Sequence, residues 1–455
     1  MLNKLQPYVE QCIDKYQIPA LSLAVWKDGQ LYQAAAGCLN RDTGVEATTD
    51  SIFHIGSITK VLTACLVMRL VEQGRLALDA PVKQYLRRFQ LANTQAAATI
   101  TVRQLLNHTN GIAGDFFPDD VREEGPHIAR YVDRCAQLPL AHPVGEGFSY
   151  SNAAYAIAGH LVEVVTGMSW YDAIEEWIFQ PLGMRYALCR PQYMNRFRVA
   201  LGHIADLERP GQWRTTPENL LTLGQAPAGS TVAMRAADLI TFGRAHWDSE
   251  VIAHKDWLNK TTLQIMQTPD TPIPAGPTAI SHSMGLGWFC GAAADGQQSY
   301  VGHNGATSGQ LASLRVFPKA GVCCAVLMNS QANTAFNTIV ERLTREAVGL
   351  DLTPPAIDTK AVNLKQLQAC VGRYQQCTVA CDCRLENGTL ILRVNDTADI
   401  NEPAQEWTLY GIGDQCYELR TEANTSLGYV RFLNPDGQGN PQALFYGMRL
   451  YTRQA

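Results

Sequence analysis

Apolar and polar positions recur with two different periods in the first 350 residues, and the two ends of this region mirror each other. At the start, a helical pattern over residues 1–17 is followed by strand-like runs at 19–26 and 31–36. At the other end, strand-like runs at 311–317 and 322–328 are followed by a helical pattern at 334–348. This arrangement predicts an antiparallel sheet with the two terminal helices packed together on one face.

The middle of the chain predicts mostly helix. Residues 61–71 are apolar almost all round, which indicates a buried helix that stops near Gly74. Residues 61–250 as a whole predict a helical subdomain beside the sheet. The junction between such a subdomain and a sheet is an ordinary place for a ligand.

The last part of the chain has a different pattern. Glycine-containing turns separate short strand-like runs such as 389–394 and 426–432, which predicts a small antiparallel barrel or sandwich. The segment before it contains Pro354-Pro355 and shows little periodicity. We therefore expect a main domain at residues 1–350, a linker at 351–363 and a small β domain at 364–455.

Composition and charge indicate a globular protein that binds neither nucleic acid nor a membrane. Of 455 residues, 46% are hydrophobic and 17% are charged, which is typical of a globular chain with a sizeable core. The net charge of −5 argues against nucleic acid as a partner, and no apolar run reaches the length of a membrane span. The first 17 residues predict a helix of the mature fold and not a signal peptide, so a cytoplasmic location is expected.

Cysteine usage does not predict a disulfide framework. The 13 cysteines are scattered along the chain, and we interpret them as core residues in a reducing compartment. Cys377, Cys381 and Cys383 form a tight cluster, but its spacing lacks the paired C-x-x-C of common zinc sites, so metal binding there is the weaker alternative.

Ser57-Ile58-Thr59-Lys60 carries the strongest chemical signal. It stands where the apolar helix should begin, and residues i and i+3 share one helical face, so Lys60 can reach Ser57. A buried lysine loses hydration, its pKa falls, and it can then take a proton from a serine that acts as nucleophile. Because S-x-x-K also arises about once or twice by chance in a chain this long, the motif needs support from other segments.

Two further segments offer partners. Tyr150 and Asn152 lie in a turn-rich run before a helix, where Tyr150 could relay a proton and Asn152 could donate and accept hydrogen bonds. The alternatives are a packed loop aromatic and a helix cap. His303, Asn304 and Gly305 precede the strand at 311–317, and glycine lets a backbone run close to a ligand while an edge strand offers free N–H groups. A histidine in a turn is the alternative there.

The order of these three segments resembles the serine penicillin-recognising family, which includes class C β-lactamases, D-alanyl-D-alanine carboxypeptidases, D-amino-acid peptidases and related esterases. Residues 105–112, 143–152, 180–184 and 227–230 also look like recurrent segments of that family. The resemblance covers about residues 5–348. It implies a mixed α/β fold with segregated helices and sheet (α+β), in which an antiparallel sheet is flanked by helices and a helical subdomain.

The resemblance also implies a set of roles. Ser57 would be the nucleophile, Lys60 and Tyr150 the acid/base pair, and Asn152, His303 and Gly305 would bind substrate. The backbone N–H groups of Ser57 and Ala306 would form the oxyanion hole. No metal and no organic cofactor are implied.

One departure from the family pattern affects the expected substrate. The β-lactamases of the family usually have Lys-Thr-Gly in the third motif, where this chain has His303-Asn304-Gly305. Histidine there is more similar to the peptidases and esterases, so efficient β-lactam hydrolysis is not expected. The tail is similar to the lipocalin-like β-barrel domains that follow the catalytic domain in some D-amino-acid peptidases, and we expect it to restrict the cleft.

The sequence therefore favours a serine hydrolase that forms an acyl-Ser57 intermediate on small esters, amides or peptides. An acyltransferase that uses the same intermediate is the close alternative, and a non-catalytic penicillin-binding or ligand-binding protein is the alternative from another class. Small-molecule substrates are the expected partners, neither nucleic acid nor a membrane is expected, and a homo-oligomer is compatible with the sequence. Phe116 and Phe117 are candidates for the pocket wall, although an apolar pair is more often core.

Overall fold

A computed structural model gives the architecture of the chain. It describes residues 2–118, 120, 124–218, 220–251, 257–274, 276, 281–292, 299–349, 359–396, 404–420 and 426–454. Within them the chain forms a mixed helix and sheet region up to residue 349 and a closed β-barrel from residue 372 onward.

The helices are mostly short. In chain order they are α1 Leu5–Tyr16, α2 Thr59–Glu72, α3 Val82–Tyr85, α4 Thr94–Thr99, α5 Val102–Leu106, α6 His127–Arg134, α7 Asn152–Thr166, α8 Trp170–Ile174, α9 Ala236–Arg244, α10 Lys260–Gln267, α11 Asn333–Val348 and α12 Leu364–Cys370. In the part of the chain that the structure describes, none of them combines the length and the apolar character that crossing a bilayer requires.

The strands belong to the main sheet, two small sheets and the barrel. In chain order they are β1 Ala20–Lys27, β2 Gln30–Asn40, β3 Val45–Glu46, β4 Phe53–His54, β5 Ala187–Leu188, β6 His203–Ala205, β7 Trp213–Thr215, β8 Ala233–Met234, β9 Thr271–Pro272, β10 Ser283–Met284, β11 Phe289–Ala292, β12 Ser299–Thr307, β13 Gln310–Phe317, β14 Val322–Met328, β15 Gly372–Gln376, β16 Val379–Glu386, β17 Thr389–Asp396, β18 Gln405–Gly413, β19 Cys416–Arg420, β20 Ser426–Pro435, β21 Pro441–Tyr446 and β22 Arg449–Arg453.

The main sheet is antiparallel and has the strand order β3-β2-β1-β14-β13-β12-β11-β10-β9. The first and last segments of the region thus meet at its centre, where Leu23 pairs with Val326. β1 is apolar on both faces because Leu21 and Leu23 enter the core shared with α1 and α11, while Ala24 enters the core on the opposite face. The predicted sheet with both terminal helices on one face is confirmed.

The opposite face of the sheet carries the helical region. α2 is buried nearly all round and contacts α7, as its continuous apolar sequence requires. The sequence indicated helix for most of residues 61–250, but β5 and β8 lie there, and β8 pairs on one side with β5 and on the other with β4, just ahead of α2. These two-residue strands were missed because they are too short to show a period of two.

The last eight strands form a closed barrel in the order β15 to β22, with β15 pairing back to β22. The fold expectation, an α+β region followed by a small all-β barrel, is confirmed, and of the two architectures left open for the tail the barrel is the one found. Of the predicted linker, residues 351–358 lie outside the described residues.

The barrel is docked on the main domain through an apolar cluster. Phe148 and Tyr150 pack there with Phe445 and Leu450 of the barrel. Main-chain groups add polar contacts, since the N–H of Tyr150 donates to the carbonyl of Met448 at 2.9 Å. The Oγ of Ser149 accepts hydrogen bonds from the N–H of Leu450 at 3.2 Å and from Nε2 of Gln376 at 3.2 Å.

Because Phe445 is 4% exposed at this junction, Phe445→Ala should remove apolar burial worth about 3 kcal/mol. We expect its thermal unfolding temperature to fall by several degrees. Leu427→Ala is the matched control, since Leu427 lies on the barrel and is 47% exposed. Equal unfolding temperatures for the two variants in a calorimetric scan would contradict the docking role of Phe445.

Candidate active site

Ser57 lies in a single 3₁₀ turn, Gly56–Ile58, which leads directly into α2. The turn is possible because Gly56 has a φ of +51° and its missing side chain leaves room for Ala306; a Cβ there would lie 2.6 Å from the Ala306 nitrogen. The serine hydroxyl therefore sits at the start of a buried helix, close to the main chain of β12.

Lys60 lies one turn further along and is fully buried. Its Nζ donates to Oγ of Ser57 at 2.9 Å, to Oδ1 of Asn152 at 2.7 Å and to the carbonyl of Ala228 at 2.6 Å. The three contacts can satisfy the three N–H groups of an ammonium, whereas a neutral amine would donate to two of these oxygens and accept from the hydroxyl of Ser57. The predicted contact between Ser57 and Lys60 is therefore present in the fold.

Burial has a large electrostatic effect on this lysine. Loss of hydration lowers the pKa of Lys60 well below its usual value, the nearby Arg449 lowers it further, and Asp115 opposes the change. A lysine with a lowered pKa gives up its proton more readily, and the neutral amine is the form that accepts a proton from a serine.

Tyr150 approaches the same serine from the segment before α7. Its phenol interacts with the side chain of Ser57, and its ring lies 4.8 Å from Nζ of Lys60. Burial raises the pKa of Tyr150, while the interaction with Ser57 and the charge of Arg449 lower it. The net direction is upward, so the phenol holds its proton at neutral pH and can donate it.

Asn152 is the first residue of α7, and the cap of that helix is Ser151, whose Oγ accepts from the N–H of Ala154. The helix-cap alternative for Asn152 is therefore wrong. Its side chain points instead between two charged groups, with Oδ1 on Lys60 and Nδ2 donating to Asp115 at 3.1 Å.

The third predicted segment lies on a strand of its own, β12, and not in a turn before β13. Pairing of β12 with β11 ends at Gly302, so only its last residues form a free edge. Gly305 is needed for close approach, because a Cβ there would lie 1.9 Å from the carbonyl oxygen of Ile55. The glycine places Ala306 beside the turn that carries Ser57, which is the arrangement an oxyanion hole needs.

His303 is buried and uncharged. Burial lowers its pKa to about 3, with Lys60 as a further cause, and its Nδ1 lies 2.5 Å from the carbonyl of Asn304. Within the described residues its Nε2 has no protein partner. The side chain can therefore offer a neutral hydrogen-bonding group at the cavity but not the positive charge that a lysine would supply.

These groups share one cavity of about 640 Å³. Ser57, Tyr150, Asn152 and His303 line it together with Gly305, Ala306 and other residues of β12. Phe117 also lines it, as the sequence suggested, whereas Phe116 packs on Tyr131 with ring centroids 5.6 Å apart. All predicted site residues except the enclosed Lys60 thus reach the same space.

Some residues around the site were not found from the sequence, among them Asp115, Arg449 and His108. Asp115 and Arg449 form an ion pair beside Asn152, and the ring of His108 packs against that of Tyr150 with ring centroids 4.3 Å apart. Nδ1 of His108 accepts from the N–H of Ser151 at 3.0 Å, and burial lowers its pKa well below the usual value. His108 stands in a segment that the family resemblance had marked, whereas no local pattern marks the other two.

Within the described ranges, no three His, Cys, Asp or Glu side chains are grouped as a metal site would require. Cys381 and Cys383 are buried in the barrel core, and Cys377 points to the carbonyl of Ala113. The interpretation as core residues fits Cys381 and Cys383, whereas Cys377 is half-buried and lies outside the barrel core.

Comparison with known proteins gives a consistent family. The sequence profile of the family described as Beta-lactamase matches residues 5–349. Penicillin-binding protein 4 of Amycolatopsis lactamdurans is 38% identical over 355 residues, which cover 75% of this chain and 90% of that protein. Esterase EstB of Burkholderia gladioli is 31% identical over 196 residues, or 40% of this chain and half of the esterase.

Among solved structures, that of SurE superposes over the whole chain. It covers 100% of this chain and 99% of SurE, with a TM-score of 0.79 and 28% sequence identity. A second structure, of SurE with D-Leu, gives a TM-score of 0.77 at 27% identity. The similarity therefore includes the barrel as well as the main domain.

The close packing of Gly305 against Ile55 leads to a test. In Gly305→Ala the Cβ would force β12 away from the Ser57 turn, and we expect the rate of Ser57 labelling by a fluorophosphonate to fall at least about tenfold. Gly437→Ala is the control, because a Cβ at Gly437 meets nothing within 4 Å. Equal labelling rates for both variants, measured by mass spectrometry, would refute the close-approach role.

Proposed function

Since this chain belongs to the β-lactamase family, we propose that it is a serine hydrolase that forms an acyl intermediate on Ser57. The observation that supports this most is the fully buried amino group of Lys60, with its Nζ 2.9 Å from Oγ of Ser57. A basic group in that position is costly to the fold, and its position beside a nucleophile gives it a chemical use.

In the acylation step, Oγ of Ser57 attacks the carbonyl carbon of the substrate while neutral Lys60 takes the hydroxyl proton. A C–O bond forms, and the carbonyl electron pair moves to the oxygen, which the N–H groups of Ser57 and Ala306 would hold. The bond to the leaving group then breaks. Tyr150 gives its proton to that group and regains one from Lys60.

In the deacylation step, water attacks the acyl-Ser57 carbonyl. The water gives a proton to Tyr150, which passes its own proton to Lys60. The bond between the acyl carbon and Oγ then breaks, and Oγ recovers a proton from Lys60. In an acyltransferase an alcohol or amine would replace this water, with the same residues in the same roles. Hydrolysis is the simpler reaction, because it needs no binding site for a second substrate.

We propose small esters and amides, including peptides with D-residues, as the substrate class. Esterase EstB is one relative, and SurE has been solved with D-Leu, which supports both parts of this class. A neutral His303 offers no charge to the carboxylate of a β-lactam, and the charge of Arg449, which also lines the cavity, is paired with Asp115. Weak or absent β-lactamase activity is therefore part of the proposal.

The nucleophile can be tested with a panel of p-nitrophenyl acetate, p-nitrophenyl butyrate, a D-alanine p-nitroanilide and a chromogenic cephalosporin. We expect turnover of an ester or the D-amide, little with the cephalosporin, and loss of turnover in Ser57→Ala with folding intact. Added alcohol or amine distinguishes acyl transfer, which would divert product from the acid. Turnover that survives in Ser57→Ala would exclude the proposed intermediate.

Lys60 determines the expected pH dependence. The neutral amine is the active form, so kcat/KM should rise with pH through the pKa of Lys60, which burial holds well below the usual 10.5. We also expect Lys60→Ala to remain folded but nearly inactive, because the substitution removes a buried basic group from the fold and a base from the reaction. An unfolded Lys60→Ala would count against this role. So would an acidic limb, the part of the pH profile in which kcat/KM falls as Lys60 gains a proton, with its midpoint near pH 10.5.

A further inference from the structure

Arg449 brings a charge from the barrel into the active site. It is the first residue of β22, it follows the turn that contains Met448, and both residues line the cavity that holds Ser57. Its guanidinium forms a bidentate ion pair with Asp115, in which Nε bonds Oδ2 and Nη2 lies 3.0 Å from Oδ1. The partners are 334 positions apart in the sequence.

We propose that the Asp115–Arg449 ion pair is a positioning unit through which the barrel fixes the side chain of Asn152 and the charge balance around Lys60. The inference rests on the proposed function, because it assigns the pair to the preparation of Lys60 for its reaction with Ser57. Neither Asp115 nor Arg449 is required to touch the reacting atoms.

The amide of Asn152 is held in one orientation by its two partners. A carboxylate only accepts hydrogen bonds, so Asp115 requires Asn152 to present Nδ2 to it. The other end of the amide, Oδ1, then faces Nζ of Lys60 at 2.7 Å. An amide turned by 180° would present its carbonyl oxygen to the carboxylate of Asp115, and that contact would be repulsive whatever the charge of Lys60.

The charges of Asp115 and Arg449 also balance each other beside Lys60. Asp115 is 13% exposed at its side chain, and an unpaired carboxylate at that depth would be costly and would draw the proton onto Lys60. Arg449 compensates it and also places its guanidinium 5.1 Å from the ring centre of Tyr150. The two members of the pair act on the pKa of Lys60 in opposite directions, Arg449 downward and Asp115 upward.

The other ionisable groups near Lys60 do not offset this pair. They are Tyr150 and Tyr155, whose rings lie within 5.8 Å of Nζ, and His108 and His303, on whose pKa values Lys60 acts. Burial raises the pKa values of both tyrosines and lowers those of both histidines, so all four are neutral at neutral pH. Asp115 and Arg449 are therefore the charges to which Lys60 responds.

The test measures kcat/KM for p-nitrophenyl acetate against pH in single and double variants. Arg449→Met removes the group that lowers the pKa of Lys60, so the acidic limb should move to higher pH by roughly one unit. Asp115→Asn removes the opposing charge, so the limb should move to lower pH. The amide introduced by Asp115→Asn can pair with Asn152 in either orientation, and kcat should fall about tenfold or more.

The double variant and the conservative variant separate charge from orientation. In Asp115→Asn/Arg449→Met the limb should return close to that of the wild type while kcat stays low. Arg449→Lys retains the charge, and we expect its limb to stay near that of the wild type even if docking of the barrel weakens. Arg384→Met is the matched control, since Arg384 pairs with Glu406 on the exposed barrel surface and should change neither quantity.

Opposite limb shifts in the two single variants support the proposal. Shifts in the same direction, or unchanged limbs with kcat within about twofold of the wild type, would overturn it, because a purely structural pair would not act with opposite sign. If the wild type turns over no ester, the proposed hydrolase is in doubt. In that case the pH dependence is measured from the rate at which a fluorophosphonate forms an O–P bond with Ser57 and loses fluoride. An unreactive Ser57 would overturn this inference as well.

Discussion

The burial of one amino group is the constraint on which the rest of the site depends. Lys60 has no exposure to solvent, so its amino group must find all its hydrogen-bond partners inside the protein. They come from three separate parts of the chain: the turn before α2, the start of α7, and the main chain at Ala228. Three separate segments therefore meet at Nζ of Lys60, and the segment that carries Ser57 is one of them.

Signals that lie within one element were sufficient for much of the fold and the site. The period of α2, the spacing of Ser57 and Lys60, and the turns of the tail are local properties, and the structure has the corresponding elements. His303 is an instructive case, because glycine beside it suggested a turn. In the fold, Gly305 instead lets one strand pass against the carbonyl of Ile55, and such a contact between distant segments leaves no local pattern.

Features that need distant segments to meet could not be predicted. Closure of the barrel depends on β15 pairing with β22, almost 80 positions away, as between Tyr374 and Arg453. The sequence therefore left a barrel and a sandwich open. Asp115 lies in a run without periodicity, and Arg449 resembles any strand arginine. Asp115 and Arg449 meet only because the barrel is docked, which brings its last strands against the loop that carries Ser149 and Tyr150.

The hydrogen bond from the N–H of Tyr150 to the carbonyl of Met448 has a consequence for how this protein can diverge. Both atoms belong to the main chain, so this link survives most substitutions at either position. It does depend on the number of residues in the turn between β21 and β22, since one residue more or fewer would move the carbonyl away. Among descendants of this chain, the length of that turn should drift less than its composition.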